Sequence, residues 1–192
     1  MLREFSIHLA AAGVAVLCCG TELAAHPAVP GFVLTGPATA RGGRLPDAQV
    51  FSGFGCSGAN RSPALSWTAP PPGTESLAIT AYDPDAPTGS GWWHWIVFNL
   101  PPTTRVVPEG AGVSGSRTIP PGALQGRNDF GQSAYGGACP PAGDPPHHYV
   151  FTVWALNIAR LPLQANASGA MVGFLLHQHG IGTATLTLRY GR

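Results

Sequence analysis

The chain has 192 residues, 10 of them Lys or Arg and 9 Asp or Glu, for a net charge of +1. Its 26 Gly and 20 Pro exclude coiled coils and long helical bundles, because both residues break helices. With 44% hydrophobic residues, only 10% charged and no basic excess, it is neither a disordered chain nor a nucleic-acid binder. The length fits one domain, and the low-charge, turn-rich composition points to a mainly β fold.

In chain order, residues 1–25 read as a signal peptide. Arg3 precedes an apolar run from Leu9 to Cys19, shorter than the about 20 residues a bilayer-spanning helix needs. Cleavage fits after Gly20 or Ala25, and the expected location is the periplasm or the outside of the cell; a lipoprotein signal, disfavoured by Leu17 and Cys18 where a small residue is wanted, and an ordinary apolar N-terminal helix are the alternatives. Cys18 and Cys19 would leave with the signal, and Cys56 and Cys139 would remain. An even number suits an oxidising compartment. A bridge between them would contribute about 4 kcal/mol by chain entropy. Two separate buried thiols are the other reading, and a sequence supplies no Cα distance to choose between them.

Residues 26–44 read as an N-terminal arm and 45–192 as the domain. Residues 48–56 suggest a strand running into a Gly-rich turn, and 62–67 a short extended piece. Leu77, Ile79 and Ala81 alternate along a strand at 76–82. Residues 94–100 are apolar on both faces, as in a central strand. Residues 101–134 show turns and little periodicity, so they read as a long connection. The clearest strand is 149–156. Ser168 caps a helix ending at His179, with Gly180 as its C′ residue and Met171, Phe174, Leu175 and Gln178 on one face. In 183–190, Ala184, Leu186, Leu188 and Tyr190 alternate with outward threonines and Arg189. Antiparallel strands packed as a sandwich, with the late helix over one end, account for this order.

Two segments gather polar groups. Tyr82–Asn99 presents Asp83 and Asp85 in a turn stiffened by Pro84 and Pro87, then His94 among Trp92, Trp93 and Trp95. Tyr135–Tyr149 carries Gly136, Gly137, Pro140 and Pro141, then His147, His148 and Tyr149. Proline-fixed loops at strand ends are where binding residues concentrate. Glycine amides and a histidine would supply donors to an anion, and an aspartate would orient the ring. Each element also has a plainer reading, as turn aspartates, a satisfied core histidine or an ordinary Gly-Gly turn. Asp83, Asp85, His94 and His147 as metal ligands lack any spacing that supports them. A serine hydrolase lacks a nucleophile elbow.

These motifs resemble the phosphatidylethanolamine-binding protein family, also called the Raf kinase inhibitor protein family, in its exported bacterial form. The residues that carry the resemblance are DPDAP at 83–87, GWWHW-x-V-x-N at 91–99, NDFG at 128–131, Y-x-G-x-x-PP-x-G at 135–143 and H-x-Y at 147–149. SPALSW at 62–67 and ATLTLRYGR at 184–192 extend it to nearly all of 45–192. The resemblance implies a β-sandwich with a large and a small antiparallel sheet and peripheral short helices. It also implies an anion pocket at the rim, with Asp83, Asp85, His94, Gly137, Ala138, Cys139, Pro140, His147 and Tyr149 as ligand-binding residues. Cys139 stands where many relatives carry Gly, and His148 where eukaryotic relatives carry Arg. Should the FGCSG turn meet the pocket loop, a Cys56–Cys139 disulfide would brace it.

The implied function is non-enzymatic binding of a small anion, such as phosphate or a phospholipid head group, with regulation of a partner protein. No cofactor and no metal are expected. Inhibition of a protease or kinase through the pocket rim is the alternative, and a weak hydrolase comes third. Peripheral membrane contact and a dimer are compatible with the sequence. The motif loops contain no Lys or Arg, so histidine is expected to supply the positive charge.

Overall fold

The structure is a computed structural model that describes residues 28–36 and 43–192. The expected signal peptide at 1–25 lies outside the described residues. In chain order the strands are β1 (Leu34–Thr35), β2 (Ser52–Gly53), β3 (Cys56–Ser57), β4 (Leu65–Trp67), β5 (Ser76–Asp83), β6 (Trp92–Leu100), β7 (Val106–Val107), β8 (Leu124–Gln125), β9 (His147–Leu156) and β10 (Gly180–Tyr190). One helix, α1 (Gly169–His179), precedes β10.

Five strands form the large antiparallel sheet in the order β10–β9–β5–β6–β8, and β1, β4 and β7 form a small one. The alternation of β5 explains the layering. Leu77, Ile79 and Ala81 face the small sheet in one core that includes Leu34, Leu65, Trp67 and Val107. Ala78 points the other way, into a second core with Ile96, Phe98, Val172 and Leu176 beneath α1. The sheet is therefore buried on both faces, which is why β6 reads as continuously apolar. Each fully buried Leu, Ile or Phe contributes roughly 1.5–3 kcal/mol.

Several local expectations are corrected. Residues 48–56 do not form a strand of either sandwich sheet. They form a 3-10 turn at Asp47–Gln49 and one arm of the β2–β3 hairpin. Gly53 and Gly55 adopt positive φ, as does Phe54 at φ 50°, and this turns the chain back on itself. The sandwich also begins before residue 45: β1 pairs with β4, and Phe32 and Leu34 are buried. The 101–134 connection contributes β7, β8 and the buried Ile119.

The helix begins as expected, with the Ser168 hydroxyl accepting from Met171 N–H. Its buried face is not the expected one. Val172, Gly173 and Leu176 face the sheet, while Met171 and Phe174 are exposed. Glycine decides this: a Cβ on Gly169 would run into the Trp93 indole, so the helix packs close on its glycine side. Gly180 is not left-handed; its φ of −68° carries the helix straight into β10.

Candidate functional site

The motif residues sit where β5, β6 and β9 end at one rim of the large sheet. Asp83 ends β5, His94 lies near the start of β6, and His147 and Tyr149 open β9. Antiparallel pairing places the end of β5 between the starts of its two neighbours, which gathers side chains 64 positions apart in sequence. They line a cavity of about 160 Å³. That is close to the engineered cavity of about 150 Å³ that takes benzene. Its remaining walls include Phe54, Trp92, Phe130, Pro140 and Pro141.

His94 is buried, and its Nδ1 lies 2.8 Å from the Gly136 carbonyl oxygen. A carbonyl only accepts, so Nδ1 carries the proton. In the neutral ring Nε2 is then a bare lone pair. Nε2 is fully buried and has no partner among the described residues. Burial pushes the His94 pKa below its ordinary value, outweighing the Gly136 carbonyl that favours the charged ring. The Trp92 indole N–H and the Tyr149 hydroxyl are likewise buried without partners, and both residues line the same cavity. Burial also pushes the Tyr149 pKa up, so its hydroxyl stays a neutral donor. Two donors and one titratable nitrogen are left unsatisfied in one cavity. Each such group costs about 1–3 kcal/mol when nothing bonds to it.

His147 is arranged differently. Its Nδ1 lies 2.8 Å from Asp83 Oδ2, and both side chains are buried. Its Nε2 lies 3.5 Å from Asp144 Oδ2. Asp83 also accepts from Asp85 N–H through its other oxygen, at 2.8 Å. Outside this pair, Asp85 Oδ2 accepts from His148 N–H and faces His148 Nδ1, each at 2.7 Å. The His148 amide is the main reason the Asp85 carboxyl is held below its ordinary pKa.

The rim loop corrects one expectation. The amides of Gly136, Gly137 and Ala138 are not open to a ligand. Gly136 N–H donates to His94 O, Gly137 N–H to Asn60 Oδ1, and Ala138 N–H to Gln49 O. Gly137 serves close packing, since a Cβ there would collide with the Gln49–Phe51 backbone. Gly136 is likewise pressed against the Phe130 ring. Of the nine expected ligand-binding residues, Asp83, His94, Cys139, Pro140, His147 and Tyr149 line the cavity; Asp85, Gly137 and Ala138 do not. Ala138 is buried against Val50, and Asp85 is turned toward His148. Among the described residues no group of three His, Cys, Asp or Glu side chains could hold a metal ion.

Cys56 and Cys139 are joined, with Cα atoms 6.0 Å apart. The bridge ties the β2–β3 hairpin to the cavity wall. The Arg192 guanidinium does the same work beside it, donating to the carbonyls of Pro140 and Gly55. The hairpin brings in Phe54, and the 101–134 connection brings in Phe130, whose ring stacks on Phe51 at 4.3 Å between centroids. Sequence reasoning named neither Phe54 nor Phe130 as lining the site; NDFG at 128–131 was the available signal.

A family model described as phosphatidylethanolamine-binding protein matches residues 35–191. The chain is 53% identical over 159 residues to the UPF0098 protein YbcL of Escherichia coli (strain K12), covering 83% of this chain and 87% of that protein. It is 53% identical over 149 residues to the UPF0098 protein YbhB of the same organism, covering 78% and 93%. A Mycobacterium tuberculosis protein named as a candidate lipoprotein, LppC, is 34% identical over 160 residues, covering 83% of this chain and 72% of that protein. The crystal structure of E. coli YbcL, described as a new member of the mammalian PEBP family, superposes with a TM-score of 0.81 at 52% identity, covering 84% of this chain and 99% of that one.

Proposed function

Since this chain belongs to the phosphatidylethanolamine-binding protein family, whose members are binding proteins, we propose that it is an exported, non-enzymatic binder of a small oxyanion. The ligand class is a phosphate monoester or phospholipid head group seated in the His94 cavity. One observation carries this reading: the buried, unpartnered His94 Nε2 shares a cavity with the unpartnered Trp92 N–H and Tyr149 O–H. An oxyanion satisfies all three. Its oxygens accept from the indole and the phenol, and a single proton sits between the ligand and Nε2. That proton arrives with the ligand, as a P–O–H group, or is taken up by the ring on binding.

A hydrolase would have to work through a water and the His94 Nε2 as general base, since the Thr88 hydroxyl donates to the Gly91 carbonyl and the Cys139 sulfur is bridged. Export is supported by the N-terminal pattern and by the name of the LppC relative. No helix among the described residues is long and apolar enough to cross a membrane. A second reading, inhibition of a protease or kinase through the rim, is favoured by Phe54, which is 72% exposed beside the cavity.

Calorimetric titration with phosphoethanolamine at pH 6.5 tests the first reading. Binding is expected, with His94→Ala weakening it by about 1–3 kcal/mol. Equal affinity in the variant overturns it.

A further inference from the structure

The cations missing from the motif loops lie in the next groove. Arg44, Arg189 and Arg192, with Asp144, Pro146 and Tyr190, line a depression beside the cavity. Arg44 and Arg189 are bridge partners. Their backbones are locked by Leu45 N–H donating to Arg189 O at 2.8 Å and Arg189 N–H donating to Gly43 O at 2.7 Å. Like charges held side by side on this parallel bridge repel, at a modest cost because both residues are exposed.

The protein does little to offset that cost. Arg44 approaches Asp47 at 3.3 Å, but both side chains are well exposed, and such pairs contribute little. The Tyr190 ring, 5.6 Å from the Arg44 guanidinium carbon, attracts a cation without adding negative charge. The bonds Arg192 donates go to backbone carbonyls, which carry no net charge. Among the described residues no ion pair involves Arg189. The groove's own acid, Asp144, lies 3.5 Å from His147 Nε2. His148, paired in register with Arg189, is faced by Asp85.

We propose that this groove is a second binding site, for a multiply charged phosphate group gripped by the Arg44 and Arg189 guanidinium pair. A bound phosphate relieves the repulsion between the two guanidiniums, which the Asp47 carboxylate and the Tyr190 ring offset only on the Arg44 side. Guanidinium forks match phosphate oxygens two at a time and stay charged at every physiological pH. The site therefore needs no proton, unlike the His94 cavity, and does not depend on the reading given above. A soluble molecule and a lipid head group can both present such a phosphate; the chemistry is shared.

The probe is pyrophosphate, titrated calorimetrically at pH 8 and low ionic strength. His94→Gln, which removes the titratable nitrogen of the cavity, is expected to retain pyrophosphate binding. Arg189→Gln is expected to weaken it about tenfold, and Arg44→Gln/Arg189→Gln further. Thermal melts keep the test interpretable: without ligand the double variant melts no lower than the wild type, and pyrophosphate raises the wild-type melting temperature more than the variant's. Phosphatidic acid vesicles, whose phosphomonoester carries about two charges at pH 8, identify a lipid source if they sediment the wild type but not the double variant, and pyrophosphate binding without sedimentation identifies a soluble one. The proposal is overturned if the wild type does not bind pyrophosphate, if the double variant binds it as the wild type does, or if His94→Gln alone abolishes binding.

Discussion

Replacing a phosphate monoester by sulfate separates the two sources of the proton that an oxyanion in the cavity requires. Burial keeps the His94 pKa below its ordinary value of about 6.5, so Nε2 is bare in neutral solution. Sulfate brings no proton in this range, so it binds only the imidazolium. Above the ring's pKa the imidazolium fraction falls tenfold per pH unit. Sulfate affinity therefore falls about a hundredfold between roughly pH 6.5 and 8.5, or about 1.4 kcal/mol per unit. A phosphate monoester, with a second pKa near 6, loses affinity just as steeply above pH 7, because its protonated form becomes scarce. Below about pH 6 the two diverge. The monoester levels off, while sulfate continues to gain until the ring's own lowered pKa is passed.

The assay is calorimetry in two buffers of different ionisation enthalpy, which counts protons directly. The Arg44→Gln/Arg189→Gln background lowers the contribution of the neighbouring groove to the signal. One proton taken up per sulfate at pH 7.5 is expected, and the slope is expected to vanish in His94→Gln, whose side chain does not titrate. Sulfate affinity that is flat with pH, or binding without proton uptake, refutes the reasoning.

Other expectations follow from the same contacts. A folded-state His94 pKa below the unfolded value means that the unfolded chain binds more protons just below pH 6.5. Stability is therefore full above about pH 6.5 and falls by up to about 1.4 kcal/mol per unit below it, until the folded pKa is reached. Urea unfolding of the wild type against His94→Phe isolates this contribution as a difference in slope. Replacing Cys56 and Cys139 by serine opens a loop of sequence separation 83 and should lower the unfolding free energy by about 4 kcal/mol, read by urea denaturation. In Gly136→Ala the new methyl meets the Phe130 ring. A stability loss of about 1–3 kcal/mol is expected, with weaker phosphoethanolamine binding, because Gly136 also positions the His94 ring.

The strands that dominate the large sheet were legible because their physics is local. β5 and β10 alternate, and β6 and β9 are apolar runs bounded by Gly, Pro and Asp. Because their ends carry Asp83, His94, His147 and Tyr149, the polar half of the cavity could be read as well. The aromatic half could not. Phe54 sits on a hairpin whose placement depends on a disulfide and on Arg192, contacts that span 83 and 137 positions. The amides of Gly136 and Gly137 looked available because their acceptors, His94 O and Asn60 Oδ1, come from distant segments. The helix face was misread for a related reason. Apolar periodicity favoured Met171 and Phe174, but close approach to Trp93 is open only to the side bearing Gly169 and Gly173.

The His94 ring itself gives the most direct measurement. In protein carrying 15N-labelled histidine, long-range proton–nitrogen correlation spectra report the protonation of each ring nitrogen. At pH 7 without ligand, His94 is expected to show a protonated Nδ1 and a bare Nε2. Saturating phosphoethanolamine is expected to shift Nε2 toward the hydrogen-bonded or protonated range while leaving Nδ1 in place. A ring already doubly protonated without ligand, or an Nε2 signal that phosphoethanolamine at saturation leaves untouched, would contradict the account.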